Sequence, residues 1–179
     1  MKIGFDLDKV FFDHPQIIPD AAVYWRYRKK ANGTLLYRIP SRLEQLLRIF
    51  FHYPFFRPPI KENLSVLSQI AHQKNKLYLI TSRFSFLKKR TDVILKKYGL
   101  ADLFDSMYFN SENKQPHVFK NELIRKLNLD MFIDDDLPLL QYIAKHNKKT
   151  KLIWLNSSKG KKSHLENILP VSSLRQLFS

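Results

Sequence analysis

The sequence has no cysteine and only four glycines among its 179 residues. Without cysteine there is no disulfide, no thiolate zinc site and no cysteine nucleophile, and this absence fits a reducing compartment. We therefore expect that any bound metal uses oxygen ligands.

Long apolar runs are also missing. No stretch approaches the roughly 20 apolar residues of a membrane span. The first residues begin with Lys2 and lack the apolar stretch and cleavage site of a signal peptide. The default expectation is a soluble, cytoplasmic protein, and the length favours one main core with a small insertion over two ordinary domains.

Acidic residues are scarce in comparison with basic ones. The sequence has 16 Asp and Glu and 31 Lys and Arg, which gives a net charge of +15. Such a charge favours an anionic partner: a phosphate, a nucleic acid or an acidic membrane surface. A solvated basic surface without a partner explains it equally well. The charge says nothing about oligomeric state.

Short apolar runs alternate with amphipathic stretches of helical length, which predicts an α/β fold with a parallel sheet and helices on both faces. The predicted strands are 3–5, 77–80, 107–109, 131–133 and 152–155. The predicted helices are 62–73, 87–98, 117–127, 137–146 and 172–178. Gly99 followed by Leu100 predicts a left-handed cap at the end of the second of these helices.

One connection is too long for a single crossover helix, since roughly 65 residues separate the first two predicted strands. We predict a core domain of residues 1–12 and 60–179 and an inserted, mainly helical cap of residues 13–59. Within the insertion, Ser41 and Glu44 have the spacing of a capping box and open an amphipathic helix. The stretch AVYWRYRKKANGTLLY is ambiguous, because its Asn-Gly pair suits a helix end or a hairpin turn. The helical interpretation is favoured.

Polar residues follow three of the predicted strands. Asp6 and Asp8 follow the first, Thr81, Ser82 and Arg83 end the second, and Asp134, Asp135 and Asp136 follow the fourth. Ligands of open α/β sheets bind beyond the carboxyl ends of the strands. Carboxylates held close together are costly to ionise, and a cation relieves that cost.

These segments resemble the motifs of the haloacid dehalogenase (HAD) superfamily of aspartate-nucleophile phosphohydrolases. IGFDLDKV matches the first motif, LYLIT the second and MFIDDD the fourth. For the lysine of the third motif we choose Lys120, with Lys114 as the alternative. The sequences TSR and IDD are also similar to the 5'-nucleotidase branch. The resemblance implies a Rossmann-like sheet of order 3-2-1-4-5 with a C1 cap after the first strand.

The resemblance also implies a reaction, the Mg²⁺-dependent hydrolysis of a phosphomonoester through an aspartyl-phosphate. Asp6 is then the nucleophile, and Asp8 is the acid and base, a role that suits a carboxyl whose pKa its neighbours raise. Thr81 donates to the phosphoryl group and Lys120 stabilises its charge. Mg²⁺ would be held by Asp6, Asp8 through its backbone carbonyl, and Asp134 or Asp135.

Three further residues are candidates for substrate binding: Ser82, Arg83 and Lys9. Lys9 stands where many relatives carry glycine. Each assignment has a plainer alternative, in which Thr81 ends a strand, Lys120 and Arg83 lie on the surface, and Asp136 caps the next helix.

The predicted cap is rich in arginine and aromatic residues, which suit a nucleotide or a nucleic-acid end. Its aromatic residues also suit the small core of the cap itself. The favoured substrate is a nucleotide or another small phosphorylated metabolite. The alternatives are a phosphatase of nucleic-acid ends and a basic binding module with little turnover. The stretch RIFFHYPFF with its basic flanks also fits contact with an anionic bilayer, although it is short and interrupted by proline.

Overall fold

The computed structural model describes residues 1–15, 28–31, 34–156 and 167–178. Its strands are β1 (Lys2–Phe5), β2 (Arg28–Ala31), β3 (Thr34–Tyr37), β4 (Lys76–Phe84), β5 (Ser106–Asn110), β6 (Met131–Asp134), β7 (Lys151–Leu155) and β8 (Ile168–Val171). Its helices are α1 (Arg42–Phe51), α2 (Lys61–Ala71), α3 (Lys88–Lys97), α4 (Pro116–Leu127), α5 (Leu137–His146) and α6 (Arg175–Phe178). Short 3-10 turns cover Ser85–Leu87 and Ala101–Leu103.

Six parallel strands form the main sheet, in the order β5-β4-β1-β6-β7-β8. The predicted α/β class is confirmed, and the five predicted strands stand in the predicted order. The sequence prediction missed β8, a four-residue edge strand that contains Pro170. Proline is tolerated in an edge strand because one side of that strand needs no ladder hydrogen bond. The last helix is shorter than predicted and begins at Arg175.

Alternate residues of the central strands pack on opposite faces of the sheet. Phe5 and Ile133 lie in one apolar cluster with residues of α2 and α3. Phe132 lies in the other cluster with residues of α4 and α5. The sheet is therefore covered on both faces, which explains why its strands read as continuous apolar runs.

The end of α3 has the predicted left-handed cap. Gly99 has a φ of 63°, and the Leu100 N–H donates to the Leu95 carbonyl at 2.9 Å. Glycine adopts this conformation without the steric penalty of a Cβ atom. The cap closes the helix just before the turn that leads into β5.

The segment 13–59 leaves the sheet domain and returns to it at neighbouring points. The Asp13 N–H donates to the Pro58 carbonyl at 2.9 Å, and the Ile60 N–H donates to the Phe11 carbonyl at 2.9 Å. Its helix α1 begins with the predicted capping box of Ser41 and Glu44. The division into a core and a cap remains a prediction.

The helical interpretation of AVYWRYRKKANGTLLY is wrong for the part of this stretch that the structure describes. Strands β2 and β3 pair antiparallel, with Arg28 opposite Tyr37 and Ala31 opposite Thr34. Threonine and tyrosine favour strands, and Asn-Gly is the strongest short hairpin signal. Residues 22–27, Asn32 and Gly33 lie outside the described residues.

In the described ranges, no helix combines the length and the apolar character that a membrane crossing requires.

Candidate active site

The site lies at the carboxyl ends of three neighbouring strands. Because β1 stands between β4 and β6, the residues that follow these strands meet at one edge of the sheet. The Asp6 N–H donates to the Ile133 carbonyl at 2.9 Å, which continues the pairing of β1 with β6 by one residue. Asp134 is the last residue of β6. The two carboxylates predicted from separate motifs therefore converge.

Lys120 joins these two carboxylates. Its Nζ lies 2.8 Å from Asp6 Oδ1 and 2.7 Å from Asp134 Oδ2, and all three side chains are buried. Lys120 comes from the first half of α4, which packs on the sheet beside β4. The alternative, Lys114, lies on the surface, where its Nζ is 2.9 Å from Glu122. The structure thus brings Lys120, and not Lys114, to the acidic residues.

The buried charges of this group do not balance. Burial raises the pKa of Asp6 to about 7; Lys120 opposes this shift, and Asp134 and Asp8 add to it. Burial also raises the pKa of Asp134 against the effect of Lys120. Burial alone would lower the pKa of Lys120, but Asp134 and Asp6 outweigh it and raise that pKa. One lysine faces two buried carboxylates, so a further cation would stabilise both in their charged form.

A third carboxylate completes a candidate metal site. Asp6, Asp134 and Asp135 each offer an oxygen, and these oxygens all lie within 4.8 Å of one another. A small, hard cation such as Mg²⁺ binds one or two carboxylates and keeps several waters. The donor set fits such an ion. The Asp8 carboxylate is not in this group, and the predicted contact through its backbone carbonyl remains a prediction.

Two arginines hold the Asp8 carboxylate. Arg83 donates from Nε to Oδ2 at 2.8 Å and from Nη2 to Oδ1 at 2.6 Å. Arg57 also donates to Oδ1 through Nη2. Burial raises the pKa of Asp8, but Arg83 and Arg57 outweigh burial and hold it well below its usual range. The expected rise of this pKa is therefore wrong, because the nearest charges are guanidinium groups rather than carboxylates.

Arg57 is the site residue that the sequence analysis missed. Its side chain is almost fully buried, and its Nη1 lies 2.9 Å from His14 Nδ1 while Nη2 reaches Asp8. The sequence FFRPP did contain a signal, since an arginine among apolar residues is buried only when it is paired. No motif of the family pointed to it.

The polar residues at the end of β4 have different surroundings: two line the cavity and one is buried away from it. Ser82 and Arg83 line the cavity above the acidic residues. Thr81 is buried, its Oγ1 accepts a hydrogen bond from the Arg83 N–H at 3.4 Å, and it is not among the described lining residues. Pairing with β5 is irregular between Thr81 and Phe84. The predicted donation from Thr81 to a phosphoryl group remains a prediction.

Lys9 has the backbone conformation that its position requires. Its φ is 59°, in the left-handed region that favours glycine. Its Nζ lies 2.6 Å from Asp13 Oδ1, and the side chain is not among those described as lining the cavity. The turn after β1 therefore keeps the form that a glycine would allow, although its residue is a lysine.

Asp136 caps α5, which is the alternative role that the sequence analysis gave for this residue. Its Oδ1 accepts a hydrogen bond from the Leu139 N–H at 3.1 Å. Its Oδ2 accepts another from the Tyr37 hydroxyl at 2.8 Å. Asp136 therefore links the sheet domain to the segment 13–59, and its N–H also donates to Asp134 Oδ1 at 3.0 Å.

A cavity of about 390 Å³ lies above the acidic residues. Its floor includes Asp6, Lys120 and Asp135, and its roof includes Arg48 and Phe51 of α1. The roof is fastened beside the site, because the Tyr37 N–H donates to Gln115 Oε1 at 2.8 Å and Gln115 Nε2 donates to the Tyr37 carbonyl at 3.2 Å. A molecule bound in this cavity would therefore lie between the acidic residues and α1.

No protein-family model matches the sequence, and neither does any curated protein. Several solved structures are similar over nearly their whole length. A dehalogenase in complex with an intermediate shares 12% identity, with 98% of this chain and 94% of that chain covered and a TM-score of 0.66. A D,D-heptose 1,7-bisphosphate phosphatase from B. bronchiseptica, complexed with magnesium and phosphate, shares 14% identity over 98% and 97%, with a TM-score of 0.58. A HAD-superfamily hydrolase from Ehrlichia chaffeensis shares 11% identity over 98% and 93%, with a TM-score of 0.56.

The chain has a HAD-type fold. Likeness at such identities shows the fold alone, and one fold can serve several reactions. A dehalogenase and a phosphatase stand side by side among the similar structures. The choice of reaction must therefore come from the side chains at the edge of the sheet.

Proposed function

We propose that this protein is a metal-dependent phosphomonoester hydrolase that works through an aspartyl-phosphate on Asp6. The observation that carries the proposal is the buried group of Asp6, Lys120 and Asp134, with Asp135 beside it. A halide leaves as a weak base and needs neither a cation nor a proton. A phosphoryl group is anionic and needs both neutralisation and positioning, for which this group of side chains is suited.

In the proposed reaction, Asp6 attacks the phosphorus atom and the bond from phosphorus to the leaving oxygen breaks. Lys120 holds the Asp6 and Asp134 carboxylates in place and brings one positive charge to the site of attack. Mg²⁺ held by Asp6, Asp134 and Asp135 would neutralise the repulsion between the nucleophile and the phosphate. Water then attacks the phosphorus atom of the acyl phosphate, the bond from phosphorus to the Asp6 oxygen breaks, and inorganic phosphate leaves while the Asp6 carboxylate is restored.

We assign proton transfer in this scheme to Asp8. Arg83 and Arg57 keep its carboxylate ionised, which is the form that accepts a proton from the attacking water in the second step, and their positive charges also make it a weaker base. Donation of a proton to the leaving oxygen in the first step requires that Asp8 first gain one. Release of Asp8 by one of the arginines would permit this.

The substrate we propose is a nucleotide or another small phosphorylated metabolite. A cavity of about 390 Å³ has the size of a small-molecule site, and Arg48 and Phe51 in its roof suit an anionic or aromatic group. A phosphorylated nucleic-acid end is the second candidate, favoured by the net charge of +15.

Turnover of p-nitrophenyl phosphate tests the proposal. We expect hydrolysis with Mg²⁺, loss of activity with EDTA, and a fall of more than about a thousandfold in Asp6→Asn. Because p-nitrophenolate leaves without a proton, Asp8→Asn should still be phosphorylated by a ³²P-labelled aryl phosphate. Its second step should be slower by about a hundredfold or more, so label releasable by hydroxylamine should accumulate on the protein.

Asp102→Asn is the matched control, since Asp102 lies in an exposed turn away from the site. It should keep the activity of the unchanged protein. Activity in Asp6→Asn equal to that of the control would overturn the proposal. A panel of nucleotides, sugar phosphates and oligonucleotides with 3'- or 5'-phosphates then separates the two candidate substrates.

A further inference from the structure

Helix α1 exposes its apolar face, whereas an amphipathic helix usually buries that face against the core. Leu43, Leu46, Leu47 and Phe50 recur at the spacing of one helical face and are 70%, 65%, 53% and 52% exposed. Glu44 and Arg48, on the other side, are partly buried and line the cavity. The side of α1 that faces the cavity therefore carries Glu44 and Arg48 together with Phe51, and most of the apolar side chains of the helix face outward.

The chain around α1 exposes more apolar surface. Ile39, before the helix, is 56% exposed, and Phe55, after it, is 87% exposed. Single exposed apolar residues are common on protein surfaces, but a contiguous apolar face marks an interaction site. We call Leu43, Leu46, Leu47 and Phe50 the outer face of α1.

Basic residues flank the outer face at both ends. Arg42 is exposed at the start of α1. Beyond the other end, the Arg90 guanidinium lies 3.5 Å from the centre of the Tyr53 ring, so the basic start of α3, with the exposed Lys89, adjoins it. The partner must accept leucine and phenylalanine side chains and also carry negative charge.

These requirements separate the candidate partners. A second copy of this chain carries the same charge of +15 and would be repelled. A nucleic acid offers phosphates, and stacking for phenylalanine, but no apolar surface for the leucines. An anionic lipid bilayer offers an acyl boundary for the apolar face of a helix and acidic head groups for its basic flanks.

We propose that the outer face of α1 docks on anionic lipid bilayers. The helix lies in the plane of the interface with Leu43, Leu46 and Phe50 inserted at the acyl boundary. Leu47 belongs both to the outer face and to the cavity lining, so the docked protein has one wall of its cavity at the bilayer. The proposal concerns binding alone and does not rest on the proposed function.

Sedimentation of the full-length protein with vesicles tests the proposal. One set of vesicles is phosphatidylcholine alone, and the other contains about 30 mol% phosphatidylserine. We expect binding to the second set only, weakening as salt is added. The double variant Leu43→Ser/Leu46→Ser should bind at least about fivefold more weakly, because it loses apolar contacts and no charge.

Val93→Ser is the matched control, since Val93 is an exposed apolar residue of α3 outside the outer face. It should bind the anionic vesicles as the unchanged protein does. Thermal unfolding of each variant, followed by circular dichroism, checks that the fold is retained.

Four results would overturn the proposal. The first is no binding to anionic vesicles at low salt, and the second is equal binding by the double variant and the control. The third is a dimer in light scattering that the double variant abolishes, which would make the outer face a contact between copies. The fourth is a fall in unfolding temperature for the double variant much larger than the lower helix propensity of two serines explains, which would mean that the chain itself covers the outer face.

Discussion

Helices α5 and α1 have the same length and a similar spacing of apolar residues, yet they use them in opposite ways. Helix α5 buries Leu139, Leu140 and Ile143 against the sheet. Helix α1 buries none of its residues. The difference lies in what each helix faces, because the sheet presents an apolar layer to α5, whereas α1 covers a cavity floored with charged groups. An amphipathic pattern thus predicts a helix but not which of its faces turns inward.

The largest expected effect comes from truncating one leucine in each helix. Leu140→Ala in α5 should lower the free energy of unfolding by about 2–5 kcal/mol, because a fully buried leucine leaves a cavity. Leu46→Ala in α1 should change it by less than about 0.5 kcal/mol. Urea denaturation of both variants measures the difference. Equal losses would show that α1 is covered as α5 is.

The next effect concerns Arg57, a buried charged residue in a segment where Leu43 and Phe55 are exposed. Arg57→Met should lower the free energy of unfolding by about 1–3 kcal/mol, because Asp8 loses one of the two arginines that bind it among the described residues. Urea denaturation measures this loss. Arg48→Met is the control from the same segment; a loss as large there would mean that burial of Arg57 has no special role.

Tyr37 tests how firmly the segment 13–59 is fastened to the start of α5. Tyr37→Phe removes the hydroxyl that donates to Asp136 at 2.8 Å but keeps the ring. We expect a loss of about 0.5–1.5 kcal/mol in the free energy of unfolding. Asp136 should still cap α5 through the Leu139 N–H. Chemical denaturation of Tyr37→Phe beside Tyr142→Phe, which alters a tyrosine of α5 itself, separates the fastening from a general effect of losing a hydroxyl.

The smallest effect on the free energy of unfolding is expected at Lys9, which lies in the turn after β1 of the main sheet. Lys9→Gly relieves the left-handed conformation, which costs an L-residue about 1 kcal/mol or more. It also loses the ion pair with Asp13, which is worth at most about 1 kcal/mol. We expect a small net gain in stability, at most about 1 kcal/mol, seen as a higher midpoint of thermal unfolding. Lys9→Ala keeps the strain and loses the pair, so a gain there would contradict the explanation.

The sheet and its acidic edge were predictable from the sequence because each depends on local signals. Buried parallel strands appear as short apolar runs, and Asp6 and Asp134 follow two of them directly. Sheet order then brings the two carboxylates together without further information. By contrast, β8 is short and carries a proline, so its pattern is hardly different from that of a turn.

The partners of Asp8 could not be predicted in the same way. Arg83 was a candidate for substrate binding, yet it binds a carboxylate of the chain itself. Arg57 lies 49 residues from Asp8 along the chain, and no periodicity relates the two. The hairpin of β2 and β3 was missed because its basic sequence fits a helix and a strand almost equally well. Long-range ion pairs and short polar strands are the features that local pattern leaves open.

The meeting of the two ends of the segment 13–59 has a consequence for how such a protein can change. An isolated β-bridge joins Phe12 and Pro59. The segment 13–59 therefore begins and ends at neighbouring points of the sheet domain. A replacement segment of another length can therefore be inserted there without shifting the register of the six-stranded sheet. It would have to supply a new partner for Asp8, because Arg57 belongs to the exchanged segment.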